Sequence, residues 1–420
     1  MNRTVHRVEN VDLRFFAPPS KSYSHRALAI AALADGMSVL ERVLDAGDIR
    51  ATLHALGSLG ISAARDGTTV TVGGCAGALP FTGPVLIDCG DSGTTLRLFT
   101  GIASLGRDPV TLDGSARMRE RPVGGLADGL AALGARIRFG GREGYPPITV
   151  TGPLAGGTAR VDAGVSSQFV SALLIAAAGA ESPVTLECAG PPVSQSYLDI
   201  TCDVMAAFGV PVAREGYRSF SVLPRPYRAR RYTIEGDWSS ASYFFAIAAV
   251  AGGRVTVTGL NPASPQGDRA FIGALAAMGC RVSAFGGGVT VEREGPLAGI
   301  EIDMASSPDT VQTLCSVAAF AGSPTRISGI AHLRHKESDR MAATAAMLRA
   351  CGAGVELDEA AITVIPKPLH GAVIDPLRDH RTAMAAAVLG FGAGDVVVQD
   401  AGCTEKSFPG FWDALSEAGL

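Results

Sequence analysis

A short apolar helix ending in glycine recurs six times along this 420-residue chain, and that recurrence narrows the architecture more than any other feature. In five of the six copies the glycine leads into an alternating strand hairpin, as in "LHALGSLGISAARDGTTVTVGG", "VMAAFGVPVAREGYRSFSVL" and "ALAAMGCRVSAFGGGVTVER"; the sixth, "ALSEAGL", is the last segment of the chain. The glycines are Gly60, Gly134, Gly209, Gly279, Gly352 and Gly419, separated by 74, 75, 70, 73 and 67 residues. Glycine just past a helix is the usual left-handed cap, and the alternation in Thr69-Val70-Thr71-Val72 has the period of a half-buried strand.

A second phrase keeps the same period: a polar cluster followed by a small-residue apolar helix, as in "SKSYSHRALAIAALA", "SSASYFFAIAAVAGG" and "DHRTAMAAAVLGFGAG". Ser22, Ser92, Ser166, Ser239, Ser307 and Asp379 mark these starts, 70, 74, 73, 68 and 72 residues apart, and serine and aspartate are favoured N-caps. The helices are apolar nearly all round, so burial is expected. Each unit then holds two helices and about four short strands, too complex for a common solenoid repeat. Three units per lobe is the natural grouping, giving an α/β protein of two lobes. The expected division is 18–230 for the N-proximal lobe and 1–17 plus 231–420 for the second. Hinges are placed near 17–20 and 225–235, where "LPRPYRARRY" breaks the pattern. The segment before Pro18-Pro19 lies outside the first unit and is free to pair into the second lobe.

Composition excludes several function classes. Hydrophobic residues make up 47% and charged residues 18%, which suits a packed globular chain. No apolar stretch reaches the ~18 residues of a membrane span, and Met1–Val11 lacks a signal-peptide core, so a cytoplasmic protein with no membrane partner is expected. The net charge of −4 argues against a nucleic-acid footprint. Eight cysteines without CxxC or Cys/His spacing are expected to be buried reduced thiols, with no zinc site.

Chemistry is expected at the helix starts, because an N-terminus presents free N–H groups and about half a positive charge to an anion. These starts carry Lys21-Ser22, Gly93-Thr94, Ser166-Ser167-Gln168, Asp309 and His380-Arg381. Capping accounts for the serines and aspartates taken singly, but not for Lys21, Gln168 or Arg381. Further cations sit in loops: Arg117, Arg119 and Arg121 in "ARMRERPVGG", Arg334, Lys336 and Arg340 in "HLRHKESDR", and Lys406 in "CTEKSFPG". Guanidinium groups grip carboxylate or phosphate in bidentate fashion, so the set suits a pair of anionic ligands.

In this order and spacing, "PSKSYSHRAL", "SGTTLR", "DGSARMRERP", "VSSQFVSALL", "EGDWSSASYF", "KESDR", "DHRTAMAAAV" and "CTEKSFPGF" closely resemble the 5-enolpyruvylshikimate-3-phosphate (EPSP) synthase family over nearly the whole chain. The resemblance implies a two-lobed inside-out α/β barrel, with three inverse βαβαββ units per lobe, six-fold pseudo-repetition and a cleft between the lobes. It implies a monomeric transferase that moves the enolpyruvyl group of phosphoenolpyruvate to the 5-hydroxyl of 3-phosphoshikimate and releases phosphate. That is a step of the shikimate pathway to chorismate and the aromatic amino acids, and it needs no metal or organic cofactor.

By motif, Lys21, Ser22, Arg26, Ser166, Ser167, Gln168, Ser194, Asp309 and Lys336 would bind 3-phosphoshikimate, with Tyr197 walling the ring. Lys21, Gly93, Arg121, Gln168, Arg340, Arg381 and Lys406 would bind phosphoenolpyruvate. The catalytic set would be Asp309, taking the hydroxyl proton, Glu337, protonating the methylene carbon, and Lys21, offsetting charge. Among departures from the family pattern, His332 takes a place often held by Asn. Two rivals share the repeats. UDP-N-acetylglucosamine enolpyruvyl transferases typically carry a reactive cysteine in an N-proximal loop, whereas no cysteine lies between Cys89 and Cys188 here. A non-catalytic anion-binding module would have no use for Asp309 and Glu337 among so many cations.

Overall fold

The six punctuating glycines all adopt left-handed backbone, with φ from 75° at Gly60 to 107° at Gly279, as a chain leaving a helix sharply for a strand requires. A computed structural model describes residues 1–420, which divide into two units: Pro19–Ile234, and Met1–Pro18 with Glu235–Leu420.

The Pro19–Ile234 unit contains helices α1 (Lys21–Leu33), α2 (Gly47–Ser58), α3 (Gly93–Ala103), α4 (Gly124–Ala132), α5 (Gln168–Ala177) and α6 (Ser196–Ala207). Three four-stranded sheets share one wiring. In each, a first strand lies parallel to a second, which continues antiparallel into a hairpin; Val85–Asp88 beside Val110–Asp113, Ile148–Thr151 and Arg136–Phe139 is one example. Tyr23–Leu33 of α1 and Phe169–Ala177 of α5 are wholly buried. Alanine and glycine make that density feasible: a Cβ at Gly101 would stand 2.6 Å from the Ala172 carbonyl oxygen, so only glycine lets α3 approach α5 so closely.

The second unit contains α7 (Trp238–Ala251), α8 (Ala270–Ala277), α9 (Val311–Ala318), α10 (Arg340–Ala350), α11 (His380–Ala393) and α12 (Phe411–Glu417). The N-terminal segment is built into its sheets. Val11–Phe16 runs parallel to Gly253–Thr258, and Arg3–Val5 runs antiparallel to Val396–Val398. Phe15 of that segment stacks on Phe244 with ring centroids 3.9 Å apart, fixing it to the buried helix α7. Deleting such a buried ring costs roughly 3–5 kcal/mol.

The helix starts differ from the sequence reading in detail. Ser92 and Asp379 are N-caps whose side chains accept backbone N–H bonds. Ser22, however, lies inside α1, whose N-cap is Ser20, and Ser239 lies inside α7, whose N-cap Asp237 accepts from Ser240 N at 2.7 Å. Ser166 precedes the N-cap Ser167, and Ser307 opens the 3-10 turn Pro308–Thr310 ahead of α9. No helix is long and apolar enough to cross a membrane. The eight thiols are unbonded, four buried and four half-buried.

Candidate active site

The first group of site residues is assembled by the starts of α1, α3 and α5. Lys21, the first residue of α1, donates from Nζ to Asp48 Oδ2 at 3.2 Å, with the two side chains 16% and 6% exposed. Asp48 lies in the first turn of α2, and its carbonyl accepts from Thr95 Oγ1 of α3 at 3.4 Å. Thr95 Oγ1 also meets Ser92 Oγ at 2.7 Å. The chain of hydroxyls thus ties Lys21 to the turn that begins α3.

Gln168, at the start of α5, is held at both ends of its amide. Its Oε1 accepts from Arg97 Nη1 at 2.8 Å, and its Nε2 donates to Thr94 Oγ1 at 3.0 Å. Arg97 in turn lies 5.6 Å over the Phe169 ring and donates to the Pro122 carbonyl. Arg121 lies against Gly93, where a Cβ would fall 2.7 Å from Nη1.

Arg26 is 1% exposed and spends most of its five N–H donors inside the unit: on Thr201 Oγ1 at 2.7 Å, the Ser22 carbonyl at 3.0 Å, the Tyr197 carbonyl at 3.1 Å and Ser171 Oγ at 3.4 Å. Burial pushes this guanidinium down to about 10, partly offset by Tyr197 and Tyr23. It also lies 5.9 Å over the Tyr197 ring, so it locks α1, α5 and α6 together around that tyrosine. Ser166 Oγ accepts from Gln168 N at 3.3 Å. Ser194 is buried at φ 54°, and its hydroxyl has no protein partner. An unsatisfied buried hydroxyl is costly, and a site that keeps one fits a hydroxyl awaiting a ligand.

The second group centres on Arg340, the 2% exposed first residue of α10. Its Nη1 donates to Asp309 Oδ1 at 3.0 Å, its Nη2 to Glu337 Oε2 at 2.8 Å, and its Nε to Asp379 Oδ2 at 2.8 Å. Asp309 also accepts from Arg381 Nη2 at 2.6 Å, while Arg381 Nη1 donates to the buried Tyr243 hydroxyl. Lys406 Nζ stands 3.9 Å from Glu337 Oε1. Asp309 thus divides its two carboxylate oxygens between two guanidinium groups. Lys336 is half-buried in the same loop as Glu337. Close by, burial and then Lys336 push the His332 imidazole down to about 3. Burial and then Asp309 push the Asp268 carboxyl up to about 7. Burial is the first cause raising every one of the eight thiols, so none is an activated nucleophile. No group of three or more His, Cys, Asp or Glu side chains is placed to hold a metal ion.

The sequence alone thus singles out Asp309, Glu337, Arg340, Arg381 and Lys406, which the structure gathers, Lys21, Gly93 and Gln168, which stand at neighbouring helix starts, and Arg121, which closes the 3-10 turn Met118–Glu120 and lies against Gly93. It misses Asp48, Arg97 and Asp268, and reads Asp379 only as a cap. For Arg97 there was a signal, a cation inside an apolar helix within "SGTTLR"; for Asp48 and Asp268 the partners are distant in sequence and no spacing betrays them.

Residues 7–415 match a family described as EPSP synthase (3-phosphoshikimate 1-carboxyvinyltransferase). The chain is 57% identical over 411 residues to a 3-phosphoshikimate 1-carboxyvinyltransferase of Methanoculleus marisnigri, covering 98% of this chain and 97% of that protein. It is 42% identical to the enzyme of the same name from Shewanella amazonensis, over 95% and 94% of the two chains. Among solved structures, an EPSP synthase from Acinetobacter baumannii matches with a TM-score of 0.83 at 26% identity, covering 100% of this chain and 98% of that one.

Proposed function

The chain belongs to the EPSP synthase family, and from that premise we propose how its side chains divide the family's reaction. The protein transfers the enolpyruvyl group of phosphoenolpyruvate to 3-phosphoshikimate and releases phosphate.

Ser166, Ser167 and Ser194 hold the phosphate of 3-phosphoshikimate, a role that the unsatisfied Ser194 hydroxyl supports. Lys21, Ser22, Gln168 and Lys336 take its other polar groups, and Tyr197 walls its ring. Arg26 adds at most one free N–H to that substrate and otherwise fixes the wall. Arg121 against Gly93, with Lys21, Gln168, Arg340, Arg381 and Lys406, receives phosphoenolpyruvate.

Glu337 protonates the methylene carbon of phosphoenolpyruvate, the 5-hydroxyl oxygen adds to the neighbouring carbon, and Asp309 takes the hydroxyl proton. The tetrahedral adduct then loses phosphate as a methyl proton is withdrawn, restoring the double bond. The observation that carries this reading is the Arg340 guanidinium, which holds Asp309 and Glu337 on separate nitrogens. An arriving anion competes for Arg340, Arg381 and Lys406. Loosening those cations raises the proton affinity of both carboxylates, as an acid and a base near neutrality need.

We read the five four-stranded sheets of shared wiring, and the three-stranded sheet of Arg3–Val5, Val396–Val398 and Val373–Ile374, as copies of one βαβαββ unit, three to each compact unit of the chain, in the inside-out barrel arrangement. Phosphate release from phosphoenolpyruvate tests the assignment. Release should require 3-phosphoshikimate and should disappear in Asp309→Asn; an Asp309→Asn protein with normal turnover would remove Asp309 from the mechanism.

A further inference from the structure

We propose that Asp268, which touches neither substrate in the assignment above, is a positioning residue that sets the basicity of Asp309. The inference rests on Asp309 being the base.

Asp268 lies in the 3-10 turn Gly267–Arg269 and is 5% exposed. Its Oδ2 accepts from the Ser239 hydroxyl of α7, and its Oδ1 is buried with no hydrogen-bond partner. No lysine or arginine is paired with it: Arg269, its neighbour on the turn, donates away to the Pro262 carbonyl. The turn is strapped to the one that carries Asp309, since Ser307 Oγ donates to the Gly267 carbonyl at 2.6 Å. Gln266 fixes its other side to the start of α7, accepting from Trp238 N at 3.1 Å and donating to the Gly236 carbonyl at 2.8 Å. A residue needed only to accept from Ser239 has no use for a second, orphaned carboxyl oxygen in a dry site.

The charged groups facing Asp268 are Asp309 from the neighbouring turn, Arg381 from α11 and Asp237 at the start of α7; α8 brings only apolar residues. Burial, then Asp309, favours the protonated form of Asp268. Coupling between titrating groups is mutual. When Asp268 loses its proton as pH rises through neutrality, its charge makes Asp309 bind a proton more tightly, opposing the pull of Arg340 and Arg381. The base thus strengthens in the range where the reaction runs. Below neutrality Asp268 is neutral and Asp309 is left to its two guanidinium partners.

The test is kcat and KM from pH 5.5 to 9 at saturating co-substrate for the wild type, Asp268→Asn and Ser239→Ala. Asp268→Asn keeps the shape and an acceptor for Ser239 but cannot ionise. Its kcat should match the wild type within about twofold at pH 6 and fall about three- to tenfold behind by pH 8.5, with both KM values unchanged, the scale of a partial loss of base strength. Ser239→Ala removes a hydrogen bond that stabilises the Asp268 anion, so the wild-type rise should move to higher pH. Titration of the substrates is common to all three proteins. An Asp268→Asn profile parallel to the wild type would overturn the proposal, as would an unmoved rise in Ser239→Ala, which decides the matter if Asp268→Asn fails to fold. Normal turnover of Asp309→Asn at every pH is a separate result, which would sink the base assignment itself.

Discussion

The Arg121 guanidinium lies so close to Gly93 that a Cβ there would meet Nη1, Cζ and Nη2 at 2.7, 2.8 and 2.9 Å. Gly93 is not left-handed, so alanine strains no backbone and as a helix former should stabilise α3 slightly. Its methyl group must instead displace a buried guanidinium. Gly93→Ala should raise KM for phosphoenolpyruvate about 10- to 100-fold, the worth of a weakened bidentate grip of roughly 1.5–3 kcal/mol. Affinity for 3-phosphoshikimate and the melting temperature should hold. Steady-state kinetics with each substrate varied would check this, and an unchanged KM for phosphoenolpyruvate would separate Arg121 from that ligand.

What the sequence revealed and what it hid follow from the range of the interactions. Gly60, Gly134 and their four counterparts could be read because a left-handed cap is a local demand, met by one residue type. Lys21, Gln168 and Arg381 stood out because helix capping has no need of them. By contrast, the pairing of Arg97 with Gln168 joins residues 71 positions apart, and its geometry exists only once α3 packs on α5. The misplacement of Ser22 and Ser239 has a different cause. Each lies in a cluster with several capping side chains, and backbone dihedrals, not composition, choose Ser20 and Asp237. Asp268 escaped notice because an aspartate in "SPQGDRAF" looks like any turn residue until its burial is known.

From the sequence Arg340 reads as a ligand for phosphoenolpyruvate; the structure gives it a second duty. It is the common partner of Asp309, Glu337 and Asp379, the last of which is fully buried. Arg340→Ala should therefore destabilise the second unit by about 3–5 kcal/mol, because removing one member of a buried ionic group strands the rest. Arg340→Lys keeps the charge but not the planar donor set, so it should recover much of that stability while still binding phosphoenolpyruvate poorly. Denaturant unfolding alongside equilibrium binding would separate the two duties.

Stability should also depend on His332. Burial, with Lys336 next, pushes its imidazole down to about 3, whereas an unfolded histidine titrates near ~6.5. Between those values the unfolded chain binds a proton that the native protein refuses. The contribution is therefore intact above about pH 6.5 and is lost as pH falls toward 3, by up to ~1.4 kcal/mol per pH unit. His332→Asn should unfold with a shallower dependence on pH across that window. Guanidinium midpoints measured from pH 4 to 7 on both proteins would reveal it; parallel curves would mean that His332 is protonated in the folded state.

The sharpest division between binding and chemistry lies at Glu337. Its Oε2 accepts from Arg340 at 2.8 Å and its Oε1 faces Lys406 at 3.9 Å, an environment that favours the carboxylate. Delivery of a proton to carbon needs the acid, so these cations must be drawn off by phosphoenolpyruvate before Glu337 can act. Glu337→Gln preserves size and the acceptor for Arg340 but has no proton of suitable acidity. Affinity for both substrates should then change little, while the single-turnover rate falls by ~10²–10⁴, the worth of a positioned general acid. Lys406→Met removes one of the competing cations without touching the acid. It should weaken phosphoenolpyruvate binding, since that charge is gripped in the ground state, and lower kcat far less than Glu337→Gln does. Were Glu337→Gln to turn over at nearly the wild-type rate, proton delivery would have to come from Lys21 or Lys406, and the larger loss would then move to Lys406→Met or to its counterpart at Lys21.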